Sequence, residues 1–306
     1  MTPSRGTAVA TALLCVALAA AGCGLGPGED VGEVSLTVTR DYGAEPVLPR
    51  TTEEVSESDT VMRLLDREAE ISTRYSGDFV ESIEGVDADR RDGRVWDWLY
   101  YVNGVEATVG GADYELRGGE AIWWDYRDWS TALRVPAVVG SWPQPFRDGY
   151  EGEGPATALE CFADTAFCLV VRARLLSAGA SLVERPGEEA IRVLAGPWSR
   201  LREDPAAAQI ENGPQASGVF ADLEAEQGRY VLWGLDEAGE RARAFGTDAG
   251  LVAATRRGGG PPVWIVTGTG RRGLLAASRS LTSAALGGRY ALAVEGAEET
   301  ALPVPR

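Results

Sequence analysis

Histidine and lysine are both missing from this chain of 306 residues, and all 29 of its basic residues are arginine. Without histidine, neither a Ser-His-Asp nor a Cys-His nucleophile can be assembled, and histidine-ligated zinc is excluded. Without lysine there is no Schiff-base chemistry and no P-loop lysine. Positive charge is scarce as well: 46 acidic residues leave a net charge of −17, which argues against nucleic acid, whose phosphates need Lys and Arg. The chain has only four cysteines, at positions 15, 23, 161 and 168. The C-x6-C spacing of Cys161 and Cys168 cannot hold a metal by itself. In an oxidising compartment that pair is most simply a disulfide closing a small loop. Long apolar runs are also lacking. The stretch Ala8 to Ala21 falls about half a dozen residues short of the ~20 a spanning helix needs.

That stretch has a different use. Arg5 precedes it and small residues follow, the layout of a secretory signal peptide. It ends Leu18-Ala19-Ala20-Ala21-Gly22-Cys23, which resembles a bacterial lipobox, where cleavage precedes the cysteine and its sulfur receives a diacylglyceryl group. Residues 1–22 are therefore expected to be a lipoprotein signal peptide and Cys23 the lipidation site. Several acyl chains hold such a protein stably, at roughly 0.8 kcal/mol per buried CH₂. The expected location is extracytoplasmic, on the outer face of the cell membrane. Residues 23–32, rich in glycine, form a flexible tether.

The length left over suggests two domains, at 33–130 and 131–306. In the first, Val34, Leu36 and Val38 alternate inward along an opening strand. Val47-Leu48 before Pro49 makes a weaker second strand. Ser58-Asp59 supplies a helix N-cap before Val61, Leu64 and Leu65, which share one face. Ile71 to Tyr75 and Phe79 to Ile83 are further strand pieces, and the charged stretch Asp87 to Gly93 is a solvated loop. Val95 to Val102 alternates through aromatic and β-branched residues and runs into Asn103-Gly104, the strongest short hairpin signal. The strand Ala121 to Tyr126 follows Tyr114-Glu115-Leu116 and a glycine turn. One helix lying on a mixed sheet makes an α+β, β-grasp-like roll.

Three motifs in order resemble a known domain: Phe79-Val80-x-Ser82-Ile83-x-Gly85, Trp98-x-Tyr100-Tyr101-Val102-Asn103-Gly104 and Leu116-x-x-Gly119-Glu120-x-Ile122-x-Trp124-x-Tyr126. They are similar to the domain that ends transcobalamin and intrinsic factor, which also occurs in many bacterial surface lipoproteins. In the vitamin carriers this domain is one lid over cobalamin and a helical barrel is the other; the barrel has no counterpart here. The resemblance implies a ligand site on the aromatic sheet and a corrinoid, or another planar small molecule, as its occupant.

Six of the nine tryptophans lie between positions 96 and 142. Both faces of a strand cannot be core, so some of these rings must point outward, and an exposed aromatic patch usually marks a binding surface. Trp96, Tyr101, Trp123, Trp124 and Trp129 are the candidate ligand-binding residues; packing against the second domain is the competing role for the same rings.

The second domain reads as a small α/β unit. Val135 to Gly140 and Phe167 to Ala173 are expected strands, with a helix near Leu175. Ile191, Leu194 and Trp198 have helical spacing broken by Gly196-Pro197. Ser217 to Leu223 and Arg229 to Leu235 form a hairpin, and Ala249 to Arg256 a short helix. Strand Val263 to Thr267, helix Leu274 to Leu286 and strand Tyr290 to Val294 compose a C-terminal βαβ unit with a parallel pair. Its Gly268-Thr269-Gly270-Arg271-Arg272-Gly273 matches G-x-G-x-x-G, with Glu295 at the spacing of a dinucleotide fingerprint. Too little chain follows for a Rossmann half, so a tight turn capping the helix is the reading adopted. Ser217, Thr269 and Ser278 have no visible base, and no carboxylate spacing picks out a glycosidase pair. No catalytic residue, metal site or cofactor is expected. The sequence points to a lipid-anchored ligand-binding protein that captures a corrinoid for an uptake transporter. A protein- or glycan-interaction module of the cell envelope comes second and an enzyme third.

Overall fold

The computed structural model describes residues 28–77, 79–150, 154 and 156–305. The expected signal peptide, Cys23 and the first half of the tether lie outside them. The chain is a mixed α+β structure, rich in strands arranged in several sheets with few helices. Strand β1 (Asp30–Arg40) starts within the expected tether, because Asp30 to Glu33 already pair with the far end of β2 (Glu45–Ser56). Val34, Leu36 and Val38 are buried on one face of β1, as the alternation predicts. β2 carries Pro46 and Pro49 and tolerates them because it is a sheet edge. Helix α1 (Val61–Glu68) is capped by Thr60, whose side chain accepts from Arg63 N at 3.3 Å. The expected cap, Asp59, is turned instead to Ser56 and Arg67.

Strands β3 (Ile71–Arg74), β4 (Phe79–Ile83) and β5 (Val86–Asp87) form a small antiparallel sheet. β6 (Asp89–Arg91) pairs with β7 (Arg94–Val102), so the charged stretch taken for a loop is an edge hairpin. Asn103 and Gly104, at φ 50° and 79°, turn β7 into β8 (Val105–Glu106), and β9 (Ala121–Asp128) closes the set. The order is β2-β1-β9-β7-β6, with β1 and β9 parallel and β7 antiparallel to β9. Val61, Leu64 and Leu65 of α1 pack on this sheet against Val34, Leu36, Val38, Trp98, Tyr100 and Trp124. Each such side chain withdrawn from water contributes about 1.5–3 kcal/mol.

The rest of the chain holds α2 (Gln144–Arg147), β10 (Thr157–Cys161), α3 (Thr165–Ser177), β11 (Leu182–Val183), β12 (Ile191–Pro197), α4 (Trp198–Leu201) and α5 (Pro214–Ser217). These are followed by β13 (Ala221–Glu226), β14 (Arg229–Leu235), β15 (Arg241–Ala244), β16 (Ala249–Arg256), β17 (Pro262–Gly268), α6 (Arg271–Arg279), α7 (Ser283–Leu286), β18 (Ala291–Glu295) and β19 (Glu298–Leu302). A mixed sheet runs β11-β10-β12-β17-β16-β18-β19, and β13, β14 and β15 form a separate antiparallel sheet. The expected hairpin is the β13–β14 pair, turning at Gln227-Gly228.

Several sequence expectations are overturned in this half. Phe167 to Ala173 is not a strand but the middle of α3, whose first turn is capped by Asp164 accepting from Phe167 N at 3.0 Å. Ile191 to Pro197 is not helical but a strand between β10 and β17, and Ala249 to Arg256 is likewise the strand β16. The C-terminal strands β17 and β18 do run parallel, as expected, but they are not paired with each other, because β16 is inserted between them and runs antiparallel to both. Val135 to Gly140 makes only one bridge, from Ala137 to Val105. The cause is common to most of these errors: the central strands are covered on both faces. Ile191, Val193 and Ala195 meet α3 and α6, while Leu194 and Trp198 face the core shared with the first sheet. Continuous burial erases the period of two by which a strand is recognised.

Candidate functional site

The register of β7 with β9 sorts the five candidate aromatic residues into different surroundings. Tyr101 lies opposite Trp123, and both point away from α1 into a seam between the first sheet and the second half of the chain. There Tyr101 and Trp123 pack with Tyr42 and Tyr290, and both are buried. The Trp123 indole N–H donates to Thr39 Oγ1 at 2.7 Å. Thr39 in turn donates to Asp125 Oδ1 (2.5 Å), Gly43 N donates to the same oxygen (3.0 Å), and Tyr290 donates to Oδ2 (2.8 Å). Burial pushes the Asp125 carboxyl up to about 6 in spite of these bonds. Trp96 is held otherwise, with the Arg91 and Arg94 guanidinium groups at 4.4 and 5.2 Å from its ring. Only Trp124 and Trp129 of the five come together at one cavity.

That cavity is a groove of about 430 Å³ at the edge of β7. It exists because β6 pairs with β7 only as far as Trp96 and β8 only from Tyr101 onward. The edge between them is left unpaired by strand, and Asp97 answers part of it by accepting from Trp98 N at 2.9 Å. Its lining includes Phe79, Trp98, Tyr100, Trp124, Trp129 and Leu133, the charged pair Glu106 and Arg134, and the segment Ala107 to Gly111. Tyr100 stacks on Trp124 with centroids 4.8 Å apart. Around the mouth Tyr75, Phe79, Val109 and Leu133 are all exposed, and four large apolar side chains in the open at one place make a patch of the kind that marks binding surfaces. Phe79 belongs to a motif legible in the sequence. Leu133, Glu106 and Arg134 carry no local signal and reach the groove only through tertiary packing.

The groove's polar groups are unequally satisfied. Trp98 Nε1 donates to Val86 O at 2.9 Å and the Tyr100 hydroxyl to Val109 O at 2.7 Å. Glu106, buried, accepts from Val135 N at 2.7 Å and from Arg134 at 3.3 Å, and burial raises its pKa above the ordinary carboxylate value. The indole N–H groups of Trp124 and Trp129 have no acceptor in the protein. A buried donor left so costs roughly 1–3 kcal/mol.

Elsewhere the structure settles what the other motifs do. The G-x-G-x-x-G stretch connects β17 to α6, and the first turn of α6 is already occupied by a carboxylate: Asp248 Oδ1 accepts from Arg272 N (2.7 Å) and Gly273 N (3.2 Å). Its glycines serve close packing, since a Cβ on Gly273 would lie 2.2 Å from the Ala249 carbonyl. Cys161 and Cys168 form the expected disulfide, with Cα atoms 5.9 Å apart. Among the described residues no cluster of three or more Asp, Glu or Cys could hold a metal ion, and no helix is long and apolar enough to cross a membrane.

Residues 58–128, from just before α1 to the end of β9, match the family described as a domain of unknown function (DUF4430). No curated protein matches the chain. Among solved structures, one from Ruminococcus gnavus ATCC 29149, described as a "putative metal binding protein", is 15% identical. The match covers 32% of this chain and 97% of that one, with a TM-score of 0.25.

Proposed function

We propose that this chain is a lipid-anchored, extracytoplasmic binding protein whose β-grasp-like first domain captures a flat, largely apolar ligand at the open edge of β7. The observation that carries this reading is the groove itself, walled by Phe79, Trp98, Tyr100, Trp124 and Trp129 and ringed by exposed apolar side chains. Rigid aromatic side chains of this kind cover a planar surface at little entropic cost. The role is non-catalytic, and delivery to an envelope transporter is the use that fits a lipidated Cys23. A corrinoid is the ligand implied by the likeness to the vitamin carriers' lid domain. A groove of about 430 Å³ takes one edge or face of such a ring rather than enclosing it. Single-sided contact of that extent suits micromolar affinity, about −8 kcal/mol.

The test is a titration of the purified protein with cobinamide and cobalamin, followed by tryptophan fluorescence, with Trp129→Ala as the control. Saturable quenching that the control lacks supports the reading. Quenching no greater than the inner-filter effect removes the corrinoid. Native mass spectrometry of protein purified from its own host then asks for another small molecule, and a clean apoprotein mass removes ligand capture altogether. A second reading, an envelope interaction module, is favoured by one separate feature. Phe162, Leu169, Leu176 and Val183 are all exposed where α3 flanks the β10–β11 edge of the second sheet.

A further inference from the structure

The groove's polar inventory says what its ligand must carry. Every side-chain hydrogen-bonding atom in its wall that is buried without a partner is a donor, namely Trp124 Nε1 and Trp129 Nε1. Trp124 is 3% exposed, and it stands beside Trp98 and Tyr100, whose own donors are satisfied by Val86 O and Val109 O. These four aromatic donors thus divide evenly: two are spent on backbone carbonyls, of β5 and of Val109, and two are left unspent. The unspent pair is already sealed from water in the unliganded fold; an apolar ligand would leave it unpartnered, whereas a ligand whose acceptor oxygens reached it would satisfy it.

We infer that the ligand is a neutral, flat ring system bearing carbonyl-type oxygens, received by the indole N–H groups of Trp124 and Trp129. This deepens the binding function proposed above and rests on it. Neutrality follows from the cation in the groove's lining, Arg134, which is already joined to Glu106 and leaves no unopposed positive charge for an anion. Both N–H atoms lie beneath the surface of the wall, so the acceptor enters as the wall yields. The wall segment that would have to shift is Gly110-Gly111, which has no side chains and whose Gly110 carbonyl accepts from Asp113 N at 3.0 Å. A Cβ built on Gly111 lies 3.4 Å from Trp124 Cζ2, on the ring edge that carries the N–H. It is tethered there by Met62 N donating to Gly111 O at 2.8 Å.

The experiment compares probes of one shape and different polarity on the intact mature protein: 2-naphthamide, which offers a carbonyl, 2-aminonaphthalene, which offers a donor, and 2-methylnaphthalene, which offers neither. Affinities are read by ligand-observed NMR titration. The amide is expected to bind about tenfold more tightly than the methyl compound, and the amine no more tightly than the methyl compound. Trp124→Phe and Trp129→Phe keep an aromatic ring and delete the N–H; each should reduce the ratio of amide to methyl-compound affinity measured within the same variant, whatever the shorter ring does to both ligands alike. Trp129 is only partly buried, so its variant keeps the test valid if Trp124→Phe fails to fold. Equal binding of amide and methyl compound, or an advantage that survives both substitutions, overturns the acceptor inference while leaving the groove a binding site. No binding by any probe overturns the groove as a site for flat ligands, and this inference with it.

Discussion

Asp125→Asn is the substitution that most directly tests how the seam between the two halves is held. Asp125 is fully buried, and its carboxyl is raised from an ordinary 3.8 to about 6, chiefly by desolvation. Thr39, Gly43 and Tyr290 hydrogen-bond to the charged form and oppose that rise, as does the nearby Arg127 guanidinium. Between those two pH values the folded chain holds a proton at this site that the unfolded chain has released. Stability is therefore lost, not gained, as pH rises through the folded value. The gap of about two pH units corresponds to roughly 3 kcal/mol in total, of which roughly 2 kcal/mol falls between about pH 4.5 and about pH 7.5. Asparagine does not titrate, its oxygen can accept from Thr39 and Gly43, and its amide can donate to the Tyr290 hydroxyl. Urea unfolding of the wild type and the variant at the two pH values isolates Asp125, because the other raised carboxyls, Asp41, Asp97, Glu106 and Glu120, are common to both proteins. The variant should gain roughly 2 kcal/mol on the wild type between the acid and the neutral measurement. A difference that stays constant within about 0.5 kcal/mol across that range would refute the claim that Asp125 pays a desolvation penalty in the seam.

Two further outcomes follow from close packing and from chain closure. Gly273→Ala drives a methyl group into the Ala249 backbone, so thermal unfolding should reveal a loss of about 3 kcal/mol, whereas Gly259→Ala, with nothing within 4 Å, should stay within about 0.5 kcal/mol. The paired variant Cys161→Ala/Cys168→Ala should lose somewhat less than the ~3 kcal/mol expected of a 15-residue loop, and iodoacetamide should label neither cysteine of the folded, oxidised wild type.

The sequence was most legible where one face of an element meets solvent or a thin layer. Strand β1, helix α1 and the Asn103-Gly104 turn could be read because Val34, Leu36 and Val38 alternate, Val61, Leu64 and Leu65 share a helical stripe, and both turn residues take positive φ. Legibility failed where both faces are covered. All eight residues of β16 are buried, and no period of two survives in Ala-Gly-Leu-Val-Ala-Ala-Thr-Arg. Helix α3 failed for the opposite reason. It buries Phe167, Val171 and Leu175 but leaves Leu169 and Leu176 exposed, so its apolar residues are not confined to one stripe and Phe167 to Val171 looks like a core strand.

The candidate site divides along the same line. Alternation along β7 could say that Tyr101 and Trp98 face opposite ways, but not which face the second half of the chain would cover. That depends on Tyr290, nearly two hundred residues further on, whose hydroxyl meets Tyr101 at 3.2 Å. Nor can alternation show an edge. The groove opens between Trp96, where the pairing with β6 stops, and Tyr101, where the pairing with β8 begins at Glu106, and an interrupted partner leaves no mark on β7 itself. Aromatic content therefore indicated which strand to examine, while pairing register decided which aromatics are available to a ligand. Of the five rings singled out, the register assigns Tyr101 and Trp123 to the seam and Trp96 to the arginines beside it. Trp124 and Trp129 are left in the groove, and they are the two whose N–H groups the fold buries without an acceptor.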